Sequence, residues 1–299
     1  MMKCFYHDDM DGRCAAFWVR DFAGMEGAEY IAMDYKNPFP MHTIEPDEDV
    51  YIVDYSISPE CMDELLDITS SVIWIDHHKT AIEQYKNYNQ QAIKGIRFDG
   101  IAACLLTYTY FVTNQMIRDG RDPWSTERIA QTAPPFAQLI GDRDVWAWKF
   151  GDRTRFFHAG MLAECTHPCS KIWEHAWEHV DDIVAQGEIV ERYRQQTDKE
   201  YVGSFGYFTS FEGHDAFACN KGMASSQLFD NAGVIAPPLL ITYVWNKDQW
   251  TVSLYSTEVD VSEMAKKYGG GGHKGAAGFQ CQELPFNPGD NPFNQIVPL

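Results

Sequence analysis

Seven side chains carry donor atoms suited to hard divalent cations: His7, Asp9, Asp11, Asp54, Asp76, His77 and Asp142. They offer carboxylate oxygen and imidazole nitrogen without a thiolate. That set favours Mn²⁺, with Mg²⁺, Co²⁺ or Fe²⁺ also accommodated, and it excludes an all-sulfur zinc site. Two cations near six-coordination and sharing one carboxylate would use this many ligands without crowding. Without cations, carboxylates gathered on one edge would repel one another strongly. Two metals roughly 3.5–4 Å apart suit phosphoryl transfer: they activate water at neutral pH, bind phosphoryl oxygens and neutralise the leaving group.

A second stretch suits anions. Gly269, Gly270, Gly271 and Gly272 precede His273 and Lys274, and Gly275-Ala276-Ala277-Gly278 follows. Successive glycines let backbone N–H groups approach an anion closely. His273 and Lys274 could contact a phosphate or a terminal hydroxyl. The small residues after them predict a tight turn or the start of a close-packed helix.

The elements that must position these groups alternate. Residues 3–7 read as a strand, Asp8 to Gly12 as a tight acidic turn, and residues 13–22 as a helix, the opening of a βαβ unit. Residues 29–33 and 49–53 are further strands, the second ending on Asp54, with Pro38, Pro40 and Pro46 in the loop between them. Ser58 caps a helix begun at Pro59, with Met62, Leu65 and Leu66 turned inward. Val72-Ile73-Trp74-Ile75 is a short, β-branched, apolar run that stops on Asp76-His77-His78. Strand exits of one chemistry, separated by helical crossovers, imply a parallel sheet whose carboxyl edge collects ligands.

Residues 95–98 suggest another short strand and 101–112 a helix. Residues 129–140 form a helical stretch interrupted by Pro134 and Pro135, and Gly141-Asp142-Arg143-Asp144 then reads as an acidic turn. Residues 156–162 and 170–180 look helical, and 181–203 form a long amphipathic connector. Beyond it the character turns to β, with strands at 204–211, 216–219, 239–245 and 250–255 and short helices at 225–229 and 262–268.

Composition limits the partners. The chain has 24 basic against 43 acidic residues, a net charge of −19, which argues against a wide surface for duplex nucleic acid. A small phosphorylated substrate stays compatible, because bound cations invert the local field. Hydrophobic content of 45% predicts a globular chain. No apolar run has the length of a membrane span and no signal peptide opens the sequence, so a soluble, cytoplasmic protein without membrane partners is expected. The eight cysteines show no disulfide framework. Cys165 and Cys169 followed by His175 and His179 hint at zinc, at a spacing much shorter than a zinc finger needs. His175 and His179 read equally as one helix face beside Trp173 and Trp177.

His7-x-Asp9-x-Asp11-Gly12, Asp54, Asp76-His77-His78, Asp142 and Gly270-Gly271-Gly272-His273-x-x-Ala276-Ala277-Gly278 together resemble the DHH phosphoesterase family with its DHH-associated C-terminal domain. The motifs occur in order over almost the whole chain. The short spacing from His7 to Asp9 resembles the oligoribonuclease (nanoRNase)-like branch. Many relatives place the histidine three residues before the Asp-x-Asp pair, which leaves His7 and Asp8 as alternative ligands here. Several also carry arginine in a Val-Ser-x-Arg-Ser pattern where this chain reads Val252-Ser253-Leu254-Tyr255-Ser256, so Tyr255 could stack on a base instead.

The resemblance implies an α/β protein: a parallel-sheet N-terminal catalytic domain over residues 1–180, a helical linker at 181–203, a smaller α/β substrate-binding domain at 204–284 and an irregular tail at 285–299, with a dimetal cleft between the domains. It implies that His7, Asp9 and Asp54 hold one metal and Asp11, Asp54, His77 and Asp142 the other, with Asp54 bridging. Asp76 is a ligand or orients a histidine, His78 faces the substrate phosphate, and the loop of Gly270, Gly271, Gly272, His273 and Lys274 grips the far end of the substrate. Arg13 and Arg143 are further candidate phosphate contacts, or they neutralise the acidic cluster. The expected activity is Mn²⁺-dependent hydrolysis of phosphodiester bonds in short oligonucleotides or dinucleotides. The alternatives are a phosphatase or phosphodiesterase of signalling nucleotides, such as cyclic dinucleotides or 3′-phosphoadenosine 5′-phosphate, and a catalytically silent nucleotide-binding module. A homodimer is left open.

Overall fold

Alternation along the first strand sets the architecture. In β1 (Met2–His7), Cys4 and Tyr6 join one apolar cluster while Phe5 joins another, because successive side chains leave a strand on opposite faces. Both clusters bury their members, so the sheet is covered on two sides and its strands read as continuous apolar runs. The protein is described from a computed structural model over residues 2–24, 27–88, 93–235 and 237–287.

In chain order the first elements are β1, α1 (Met10–Ala23), β2 (Ala28–Met33), β3 (Asp49–Val53), α2 (Pro59–Ile68), β4 (Val72–Ile75) and α3 (Lys79–Gln84). Helices α4 (Ala103–Arg118), α5 (Thr126–Ala130), α6 (Pro135–Asp144), α7 (Asp152–Met161), α8 (Ile172–Glu178) and α9 (Val180–Phe205) follow. The last elements are β5 (Gly206–Phe211), β6 (His214–Asn220), α10 (Gln227–Ala232), β7 (Leu239–Trp245), β8 (Trp250–Tyr255), α11 (Val261–Lys267), β9 (Gly271–His273) and β10 (Ala276–Cys281).

Two compact units result, Met1–Val190 and Glu191–Leu299. In the first, four strands lie in the order β2-β1-β3-β4 and all pair in parallel. Val50 and Ile52 of β3 lie in the cluster that holds Trp74 of β4, while Tyr51 and Val53 lie in the one that holds Trp18 and Phe136. Helix α1 begins where β1 ends, and Gly12 makes that contact: a Cβ there would come within 2.1 Å of the His7 carbonyl oxygen. Ser58 caps α2 through a bond from the Cys61 N–H, with Pro59 at its first position.

Residues 95–98 form no full strand. They extend the sheet through isolated bridges, in which Asp76 N donates to the Ile96 carbonyl and Phe98 N to that of Asp76. The second unit holds a six-stranded sheet in the order β5-β6-β7-β8-β10-β9, antiparallel except for the β6–β7 pair. No helix of the described residues is long and apolar enough to cross a membrane.

Two expectations need correction. Gly141 to Asp144 are not a turn but the last turn of α6. Ala276, Ala277 and Gly278 start strand β10, not a helix, and the glycine stretch is one arm of a β-hairpin. Small side chains suit that hairpin, since a Cβ on Gly272 would lie 2.6 Å from the Ala277 Cα. Of the expected tail, residues 288–299 lie outside the described residues.

Candidate metal centre

From β1 the chain crosses to β2 on one side and then returns to β3 on the other, so the β1/β3 boundary is where the strand order reverses. In open α/β sheets ligands bind outside the carboxyl ends of the strands at that boundary. β1 ends there on His7, β3 is followed by Asp54, and β4 is followed by Asp76-His77-His78.

Asp54 is the hinge of the arrangement. It is buried, and neither carboxylate oxygen is in a well-formed hydrogen bond. Oδ2 lies 3.7 Å from His7 Nδ1 and Oδ1 lies 3.2 Å from His77 Nε2. Its backbone φ of 55° is left-handed, a conformation that costs a non-glycine residue about 1–3 kcal/mol and persists where surrounding structure enforces it. Here Asp54 N donates to the Ile75 carbonyl at 2.9 Å, which ties the turn to β4.

Asp54 belongs to two metal-capable groups, and His77 links it to a third. His7, Asp9 and Asp54 form one, with His7 Nδ1 at 2.8 Å from Asp9 Oδ2. Asp11, His77 and Asp144 form another, with His77 Nε2 at 3.8 Å from Asp11 and 3.5 Å from Asp144. Asp54, His77 and His78 also lie within ligand reach of one another.

Asp8, the alternative to His7, instead pairs with Arg13 at 2.8 Å. Asp9 caps α1 through the Gly12 N–H while keeping its other oxygen for His7. Asp11 accepts from Ala103 N and Cys104 N, the first amides of α4, which fixes its carboxylate from behind.

The electrostatics are those of a site short of positive charge. Asp54 and Asp9 push His7 up to about 10. Burial alone would lower His77, but Asp54, Asp11 and Asp144 outweigh it and push it up to about 10 as well. Burial raises Asp11 to about 7, with the Asp54 charge adding to it, and raises Asp144 to about 7, aided by Asp11. Burial likewise raises Asp54. Protons thus stand where cations would neutralise the same carboxylates. The donor types, the shared Asp54 and the buried, bondless atoms His7 Nδ1, Asp54 Oδ1 and Oδ2, and Asp144 Oδ2 fit a pair of hard divalent cations.

Asp142 is not part of this set. Its carboxylate accepts from Lys149 N at 2.8 Å, Phe150 N at 3.3 Å and the Thr154 hydroxyl at 2.5 Å, so its lone pairs hold the α6–α7 loop. Asp144 takes the place expected of Asp142, because residues two apart on a helix point to opposite sides. Helical periodicity through Gly141 to Asp144 was the signal that a turn assignment hid.

Asp76 is in none of the metal-capable groups among the described residues, although its Oδ2 is buried without a hydrogen-bond partner. Its Oδ1 accepts from His77 N, His78 N and His78 Nδ1, the last at 2.7 Å, which orients the His78 ring and raises its pKa. Tyr35, which no motif marked, stacks on Tyr55 at 4.6 Å, and its ring centre lies 5.7 Å from that of His7.

The other expected contacts separate. Arg13 is engaged by Asp8 and donates to the Thr166 hydroxyl at 2.6 Å. The Arg143 guanidinium lies 4.1 Å from the Trp146 ring. Tyr255 donates its hydroxyl to the Ala224 carbonyl and packs on the cluster around Phe217 and Phe229, so it is not a free stacking face. In the second unit Gly271, Gly272, His273 and Lys274 are exposed and Gly270 half-buried. Cys165 and Cys169 are exposed, and the metal-capable groups among the described residues do not include them.

No protein-family model matches the chain. Oligoribonuclease NrnB of Bacillus subtilis (strain 168) is 23% identical over 307 aligned residues, covering 93% of this chain and 72% of NrnB. An uncharacterized protein of Acanthamoeba polyphaga mimivirus is 26% identical over 260 residues, covering 82% of this chain. The chain spans 56% of the length of that mimivirus protein. Among solved structures, exonuclease RecJ bound to manganese aligns with a TM-score of 0.51 at 14% identity, covering 93% of this chain and 85% of RecJ.

Proposed function

We propose that the chain is a member of the DHH phosphoesterase family and acts as a Mn²⁺-dependent phosphodiesterase of short oligonucleotides or dinucleotides. The observation that carries this reading is the buried carboxylate of Asp54, which is grouped with His7 and Asp9 on one side and with His77 on the other, His77 in turn being grouped with Asp11 and Asp144.

His7, Asp9 and Asp54 would hold one cation, and Asp11, Asp54, His77 and Asp144 the other. When bound, the cations polarise the phosphoryl group and lower the pKa of the attacking water. Asp76 holds His78 by Nδ1 and favours its protonated form, in which Nε2 would donate to a phosphate oxygen or to the departing oxygen. The α4 amides and the Gly12 N–H keep Asp11 and Asp9 from rotating as charge redistributes. In the second unit, the exposed hairpin of Gly270, Gly271, Gly272, His273 and Lys274 is the proposed anion contact. A net charge of −19 favours short substrates, since a long strand would cross repulsive ground.

The test is hydrolysis of a dinucleotide, a cyclic dinucleotide and 3′-phosphoadenosine 5′-phosphate by the purified protein with Mn²⁺, then with chelator. Release of mononucleotides from the dinucleotide, lost in chelator and in His77→Ala, is expected. Absence of Mn²⁺-dependent turnover on all three substrates overturns the enzyme reading.

A further inference from the structure

The segment that follows Asp144 is built in an unusual way. Trp146 and Trp148 both have left-handed backbones, with φ of 55° and 53°, where bulky side chains are rarely found. The segment is held in place nonetheless. Trp146 N donates to the Arg143 carbonyl and Ala147 N to that of Asp142, while the Asp142 carboxylate accepts from Lys149 N and Phe150 N. The Asp142 side chain thus fastens the loop that displays the two indoles.

Between them lies Arg143. Its Cζ is 4.1 Å from the Trp146 ring centre and 5.2 Å from that of Trp148, and the two rings meet edge to face at 5.1 Å. Among the described residues the guanidinium has no hydrogen-bond acceptor and no ion-pair partner within bonding distance. Partial burial lowers its pKa, opposed by the Asp144 charge. A guanidinium stacked on a ring keeps its N–H fork free in its own plane, the geometry that receives phosphate oxygens. Trp146 is 53% exposed, which leaves indole area for another flat group. All this begins one residue before and two after Asp144, whose carboxylate faces His77.

We infer that Arg143, Trp146 and Trp148 form a nucleotide clamp, in which an indole stacks on a base and the Arg143 fork holds the adjoining phosphate. The inference rests on the phosphodiesterase reading for its place in the reaction, and it narrows the substrate to one carrying a base next to the phosphate. Stacking tolerates any base, since each has a π-face, so the clamp selects nucleotides over other phosphoesters without choosing a sequence.

Binding without turnover separates the two ideas. Calorimetric titrations of the Mg²⁺-loaded protein with AMP and with ribose 5-phosphate measure the base and the phosphate apart. Wild type is expected to bind AMP at least tenfold tighter than ribose 5-phosphate. Trp146→Ala weakens AMP roughly tenfold and leaves ribose 5-phosphate within about twofold, which also reports an intact fold. Trp146→Phe keeps most of the AMP affinity, and Arg143→Gln weakens both ligands. Equal AMP affinity in wild type, Trp146→Ala and Trp148→Ala overturns the clamp, as does equal binding of AMP and ribose 5-phosphate by wild type. Base-dependent AMP binding without Mn²⁺-dependent hydrolysis leaves the clamp standing and removes the enzyme reading. Hydrolysis that is indifferent to the indoles does the reverse.

Discussion

The carboxyl edge of the parallel sheet and the last turn of α6 both supply carboxylates to one centre, but by different rules. At the sheet edge, the residue that follows a strand arrives at the site because parallel strands end together. Asp54 directly follows β3, His77 lies two residues past the end of β4, and the two meet at 3.2 Å. On α6 a step of two residues reverses direction, so Asp144 faces His77 while Asp142 turns away to hold Lys149 N, Phe150 N and Thr154. Ligands at strand ends can therefore be read from where the apolar run stops, whereas a ligand on a helix needs its phase.

The largest effect should come from Asp54, whose carboxylate faces both His7 and His77. Asp54→Asn keeps a side chain that tolerates the left-handed backbone and removes the charge. Its kcat/KM on a dinucleotide should fall at least a thousandfold with the circular dichroism spectrum unchanged. A variant within tenfold of wild type would show that the shared carboxylate is not the centre of the site.

The next contrast breaks or sharpens the α6 rule directly. Asp144→Asn should lose Mn²⁺ affinity by roughly ten- to a hundredfold without lowering the melting temperature of the metal-free protein. Asp142→Asn should leave Mn²⁺ affinity within a few-fold but lower the melting temperature by several degrees. It weakens charge-assisted bonds to two backbone amides and a hydroxyl, worth about 1.5–3 kcal/mol for a bond to a charged group. The opposite pattern in calorimetry and thermal unfolding would return Asp142 to the ligand set.

The smallest effect is the response of the metal-free protein to pH. His7 and His77 titrate near 10 when folded against about 6.5 for an ordinary imidazole, so their stabilisation is complete below about 6.5 and is lost as pH rises towards 10. Asp11 and Asp144 are raised to about 7, so the folded state binds more protons than the unfolded one between about 4 and 7. Both slopes have one sign: in chelator the melting temperature should fall steadily from pH 5 to pH 9. Mn²⁺ should reverse the fall and release protons on binding. A flat profile in chelator would mean that the clusters are not coupled through their charges.

Much of the fold was legible because strand exits and helix caps are local. Residues 3–7, 49–53 and 72–75 announced themselves by apolar runs ended by ligands, and Ser58-Pro59 announced α2. The glycine stretch misled because Gly and Ala fit a close-packed helix start and a close β-hairpin equally well. What chose the hairpin was pairing with β8, a distant strand. The choice of Asp144 over Asp142 was hidden for a related reason: a proline-started helix that ends in Gly-Asp-Arg-Asp looks locally like a turn.

The sequence by itself determined the chemical inventory: oxygen and imidazole donors without thiolate, their order along alternating elements, and an acidic surface. The tertiary structure alone decided which donors converge. It joined His7 and His77 through one carboxylate at the point where the strand order reverses, gave Asp76 to His78, and turned Asp142 into the fastener of the loop that carries Trp146 and Trp148. Convergence depends on strand pairing and helix phase, and these are settled by contacts between residues far apart in the chain.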